Sequence, residues 1–148
     1  MPDKNNLILS GCIVAGRSLA ASMVTGNQER IKSILGAEPY PGTLNVAMNS
    51  PFLLKRATQM DAKGKQFAVS ATIQGTPCIV YRWHGAPLHI VEVIAAVRLR
   101  NALDLKDGQM VDITVSKDKI MLVGGWRLLL WRLFYQDRPQ VYYSDDLY

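Results

Sequence analysis

The residues best equipped for chemistry sit in the stretch Gly36 to Val46, GAEPYPGTLNV. Pro39 and Pro41 fix their own φ and bias the residue before each toward extended backbone, so Glu38 to Pro41 is expected to form a stiff turn that Gly42 closes. Thr43, Leu44 and Asn45 then read as the start of a strand. Alternation sends Leu44 to one face and Thr43 and Asn45 to the other, which sets a hydroxyl beside an amide oxygen. Neutral hard oxygens of this kind suit Mg²⁺ already held by substrate phosphates, because that ion takes few protein ligands and keeps waters and phosphate oxygens. A polar strand edge after a turn uses the same residues, and the pattern alone leaves both readings open.

Three further groups invite a role. Glu92 lies inside the apolar run Leu88 to Ala95, where a carboxylate either faces solvent or is committed to a ligand. Arg98 and Arg100 are two apart, so on a helix they do not share a face, and at most one is expected to reach a phosphate. His84 and His89 stand near strand ends, where a lone histidine is more often surface or satisfied core than a catalyst. The sequence holds no Ser-His-Asp order, no Cys/His metal spacing and no Walker loop, so no catalytic residue is assigned. Cys12 and Cys78 lie in apolar strand-like runs and read as reduced core thiols rather than a disulfide.

The elements that must position these groups follow from periodicity. Leu7 to Ala15 reads as a buried strand with Gly11 as a bulge, Gly16 to Gly26 as a loop, and Gln28 to Leu35 as a helix that Gly36 ends. Ser50 to Lys65 is polar and basic and reads as a long connection with one helical turn. Gln66 to Ile73 and Cys78 to Trp83 form a hairpin about Gln74 to Pro77. Leu88 to Ala95 is a strand, Ala96 to Leu103 a helix, and Leu105 to Gly108 a turn into the strand Met110 to Val115, which Ser116 to Lys119 joins as a hairpin to Ile120 to Val123. Trp126 to Gln136 reads as a short helix. Trp126, Leu129, Leu130, Leu133 and Phe134 recur at helical spacing while Leu128 and Trp131 fall elsewhere, so one contact cannot bury them all.

A length of 148 residues sets one main domain with a real core, and 49% apolar with 20% charged residues is the balance of an ordinary soluble globular protein. Seventeen Lys and Arg against twelve Asp and Glu give +5, which favours phosphate-bearing ligands, nucleic acid or anionic membrane without choosing among them. The apolar run from Leu7 is broken by Ser10, Gly11 and Arg17 and is too short to span a bilayer, so a cytoplasmic protein is expected.

PYPGTLNV, together with IVEVIAAVRLRNALDLKDGQMVDITV at Ile90 to Val115, resembles the archaeal CTP-dependent riboflavin kinase family, over roughly Leu7 to Val123. The resemblance implies a mainly β fold with one to three short helices, a compact cradle-loop β-barrel over residues 1–125, and the shift in composition beyond it marks residues 126–148 as an apolar helix and polar tail. It implies Mg²⁺ at Thr43 and Asn45, a flavin-type acceptor at Glu92 and near His84, and nucleotide at the segment Val97, Arg98, Leu99 and Arg100. The family's glycine-rich loop after the first strand would fall on Gly16, Arg17 and Ser18. Only Gly16 keeps the glycine pattern, so Arg17 and Ser18 would have to supply side-chain contacts in place of a backbone cradle. The implied function is phosphoryl transfer from CTP, leaving CDP, to the hydroxyl of a small acceptor, riboflavin to FMN. The rival reading is a non-catalytic nucleotide-binding or basic DNA-binding barrel. No specific nucleic acid partner is expected, and the C-terminal helix offers a surface for a second subunit, another partner or a membrane.

Overall fold

A computed structural model describes residues 4–15 and 20–136, with side chains left undescribed at residues 20–22. Strand β1 is Asn6–Val14, and helices α1 (Ala20–Gly26) and α2 (Gln28–Leu35) follow. Strands β2 (Leu44–Met48), β3 (Phe52–Leu54), β4 (Thr58–Gln59), β5 (Gln66–Ile73), β6 (Thr76–Trp83) and β7 (Ile90–Ala95) come next. The chain then makes α3 (Leu99–Ala102), β8 (Met110–Ser116), β9 (Ile120–Leu122) and α4 (Gly125–Tyr135).

Six of these strands close on themselves in the order β5, β6, β7, β2, β1, β8, because β8 also pairs with β5, and every pairing is antiparallel. Closure leaves these strands without a free edge, which explains why apolar strands can be used throughout. Alternate residues fill the inside: Ile13, Val46, Val80, Val91, Val93, Val111 and Ile113 belong to one buried cluster. On the outside of β6 and β7, Ile79, Tyr81 and Ile94 pack against Val24 of α1 and Ile31 of α2. Strand β7 is therefore apolar on both faces, and Glu92 interrupts the outer one. The expected mainly β barrel with short helices is what the chain forms.

Several local expectations are corrected. Residues 20–26 form a helix instead of a loop, held by burial of Val24 against the barrel wall. The Ser50 to Lys65 connection contains no helical turn; it contains β3 and β4. Strand β9 does not form a hairpin with β8 but pairs with β3, Phe52 opposite Leu122. Gly11 is no bulge, since it pairs in continuous register with Met48 and Val111. It is needed for close approach: a Cβ there would stand 2.7 Å from Met48 Sδ and from Val46 Cγ1. Gly36 does end α2, in the left-handed region at φ 82°, with its N–H donating to the Lys32 carbonyl.

Arg82 secures the end of the barrel where β6 leaves and β7 enters. Its buried guanidinium donates to the backbone carbonyls of Ile90, Phe52 and Leu88 and lies 4.4 Å over the Phe52 ring. Burial pulls this guanidinium down to about 10, which still leaves it charged near neutrality. Helix α4 docks at the same end through Trp131, whose indole N–H donates to His89 Nδ1 at 2.9 Å, while the Tyr135 ring lies 4.3 Å from the imidazole. His89 is thus a satisfied core histidine. The buried face of α4 is the Trp131 side, and Trp126, Leu129 and Leu133 of its larger apolar face are well exposed.

Candidate functional site

Strand β2 begins directly after the proline turn, and the turn is pinned to the end of β7 by the Tyr40 N–H, which donates to the Ala95 carbonyl at 2.8 Å. Leu44 enters the interior, so Thr43 and Asn45 are turned to the outer face, as alternation requires. Asn45 pairs directly with Glu92 of β7 and, on its other side, with Val14 of β1; Glu92 in turn pairs with Tyr81 of β6. One row of residues, Val14, Asn45, Glu92 and Tyr81, therefore crosses four strands. At its centre the Thr43 hydroxyl donates to Glu92 Oε1 at 3.1 Å.

This setting shapes the electrostatics. Burial pushes the Glu92 carboxyl above the ordinary carboxylate range, and the Thr43 hydrogen bond offsets part of that rise. Burial, and then the charges of Glu92 and Asp61, push the Tyr81 phenol up to about 12, so it stays protonated. The Thr43 proton is committed to Glu92, which leaves the hydroxyl lone pairs for another partner. With Asn45 in register with Glu92, the nearby donors are hard oxygens with a single formal charge, a set that fits a divalent cation sharing its shell with phosphates. Among the described residues no group of three or more His, Cys, Asp and Glu side chains converges as a metal site.

Beside Thr43 opens a hollow of about 100 Å³, bordered by Tyr40, Thr43, Val97, Arg98, Leu99 and Arg100. The structure thus brings Thr43 against the Val97 to Arg100 segment, which lies fifty-odd residues later in the chain. Arg100 is half-buried, bonds Asp107 at 2.6 Å and reaches the Val14 carbonyl at 3.3 Å, so it braces α3 against β1. Arg98 is exposed at the start of α3. Residues Gly16, Arg17 and Ser18 lie outside the described residues, but Val14, two positions earlier, pairs with Asn45.

His84 is placed elsewhere. It borders a cavity of about 940 Å³ with Trp83, Leu88, Arg127, Leu130 and Trp131, by the end of β7 opposite the hollow. Sequence reasoning missed Tyr40 and Tyr81. Tyr40 could have been found as the aromatic between two prolines, whereas Tyr81 becomes a neighbour of Glu92 only through strand register.

Comparison with known proteins agrees with this architecture. The family model CTP-dep_RFKase, described as domain of unknown function DUF120, matches residues 13–115. The riboflavin kinase of Methanocella arvoryzae is 28% identical over 123 residues, covering 74% of this chain and 57% of the relative. That of Ignicoccus hospitalis is 31% identical over 126 residues, covering 72% and 70%. That of Pyrobaculum calidifontis is 31% identical over 132 residues, covering 76% and 62%. The chain thus spans a little over half the length of some of these relatives, 57% for Methanocella arvoryzae and for Methanocorpusculum labreanum. With the matched model running from β1 to β8, through Thr43, Asn45, Glu92 and the Val97 to Arg100 segment, the chain belongs to the CTP-dependent riboflavin kinase family.

Proposed function

We propose that this chain transfers the terminal phosphoryl group of CTP to the hydroxyl of a small acceptor, riboflavin by the names its relatives carry. The acceptor O–H gives up its proton to solvent, a new P–O bond forms, the bond to the β-phosphate oxygen breaks, and CDP leaves. The carrying observation is the Thr43 to Glu92 hydrogen bond with Asn45 paired to Glu92, beside the hollow bounded by Val97 to Arg100.

Each group has a task that its position supports. Thr43 and Asn45 would hold Mg²⁺, which when bound neutralises phosphate charge. Glu92 would accept a hydrogen bond from the acceptor, and the hollow would seat part of the nucleotide with Arg98 at its rim and Tyr40 as an aromatic wall. Phosphoryl transfer depends chiefly on positioning and charge neutralisation, so no covalent nucleophile is required of the chain. Gly16, Arg17 and Ser18 would supply further phosphate contacts, and His84, which borders the other cavity, is given no part in holding the acceptor. The free thiols Cys12 and Cys78 are consistent with a reducing, cytoplasmic setting.

The test is thermal unfolding with single ligands. CTP or CDP with Mg²⁺ should raise Tm more than other nucleotides do, because a ligand bound only by the folded state stabilises it by mass action. Asn45→Ala should abolish the response. Equal stabilisation by all nucleotides, in chelator and in the variant, would remove the metal and nucleotide assignment.

A further inference from the structure

Helix α4 has two apolar faces, and the barrel uses one. At about 100° per residue, Leu128, Trp131 and Tyr135 fall on one side, the side that meets His89. On the other side Leu129, Leu133 and Trp126 follow one another across an arc of about 60°, and Leu130 and Phe134 carry the apolar strip on to the rim of the cavity that His84 borders. They are well exposed: Trp126 71%, Leu129 62%, Leu133 72% and Phe134 58%. The same geometry sets Arg127 about 20° beyond Phe134, also on the cavity rim, and Arg132 about 60° beyond Leu129, so an arginine stands at each end of the apolar strip. The helix, GWRLLLWRLFY, contains no acidic residue.

We infer that this outward face of α4 is a membrane-surface contact that takes anionic lipid headgroups, lying in the plane of the interface. Three features on the helix select that occupant. Leu129, Leu133 and Trp126 lie opposite the docked face, so the barrel can stay in water while they enter the headgroup boundary. The flanking arginines can reach up to phosphates while their stems lie along the apolar surface. The charge is of one sign, on a chain of net +5, which complements an anionic surface. A symmetric pairing with a second copy would instead bring equivalent arginines together around an acid-free seam, which is unfavourable. No helix among the described residues is long and apolar enough to cross a membrane, and eleven residues, about 16 Å at 1.5 Å each, suit lying on one.

The test uses the full chain and sedimentation with vesicles of phosphatidylcholine alone or with phosphatidylserine. Binding should appear with the anionic vesicles, fall roughly fivefold for each of Arg127→Gln and Arg132→Gln, and weaken with salt. Leu129→Ser/Leu133→Ser keeps the charge and alters only exposed positions, so its thermal unfolding should be unchanged while vesicle binding is lost. A blue shift of tryptophan emission on anionic vesicles should vanish in Trp126→Phe with sedimentation retained. Binding that survives Leu129→Ser/Leu133→Ser would reduce the effect to bulk charge and overturn the inference. So would absence of binding at low salt, or a dimer in light scattering that the double substitution dissociates.

Discussion

The Thr43 hydroxyl and the Glu92 carboxylate, forty-nine residues apart, meet at 3.1 Å on the outer wall of the barrel. A hydroxyl has one proton to give, so this contact fixes the direction in which Thr43 presents its lone pairs. It also joins the residue expected to hold the cation to the residue expected to meet the acceptor. Glu92→Gln keeps an oxygen that Thr43 can donate to but removes the charge. We expect it to raise acceptor KM about tenfold, the loss of one charge-assisted hydrogen bond, with CTP affinity nearly intact. Thr43→Ser should behave as the parent, whereas Thr43→Val should lose nucleotide binding that depends on Mg²⁺. Equal loss of acceptor and nucleotide binding in Glu92→Gln would return Glu92 to a structural role.

Cys78 gives a pH-dependent prediction. It points into the barrel, and burial pushes its thiol up to about 12. The unfolded thiol titrates near pH 8.5, to first order. The folded state therefore holds the proton more tightly, and the stability from this group is intact below about pH 8.5 and is lost as pH climbs toward 12. Native protein at pH 8 should label quickly at no more than the half-buried Cys12, with Cys78 reacting only on unfolding. Cys78→Ala should flatten the alkaline loss of stability measured by denaturant titration. Rapid native labelling of Cys78 would contradict its placement.

Arg82 gives a stability prediction. Its three acceptors are backbone carbonyls of Ile90, Phe52 and Leu88, and truncation leaves them without that donor. Arg82→Ala should cost about 3 kcal/mol or more, at about 1 to 3 kcal/mol for each buried group left unpaired. Arg82→Lys should recover only part, because an ammonium cannot reproduce the planar fork. Chemical denaturation reads both, and a loss near zero would show that the carbonyls find water instead.

The barrel strands were legible because β1, β2, β5, β6, β7 and β8 are long enough to show their period or their apolar run. Thr43 and Asn45 were legible for the same reason, since a strand start assigns faces residue by residue. The connection after Ser50 was not, because a three-residue β3 and a two-residue β4 contain too few alternations to stand out. The partner of β9 is set by tertiary closure: local reading favours a hairpin with β8, yet β3 holds it. Register hid the rest of the site, since Asn45, Glu92 and Tyr81 become one row only when strands distant in sequence align. On α4 the periodicity marked the larger apolar face, but a hydrogen bond from Trp131 to His89 chose the smaller one for docking.

The most direct measurement is product formation. The protein is incubated with riboflavin, Mg²⁺ and each common nucleoside triphosphate in turn, and FMN is followed by chromatography. FMN should form with CTP well above the other donors, with CDP in equal amount, and fall at least about tenfold in Asn45→Ala, consistent with removal of a positioning ligand worth about 1.4 kcal/mol or more. No FMN from any donor, or the same rate in Asn45→Ala, would contradict the proposed function.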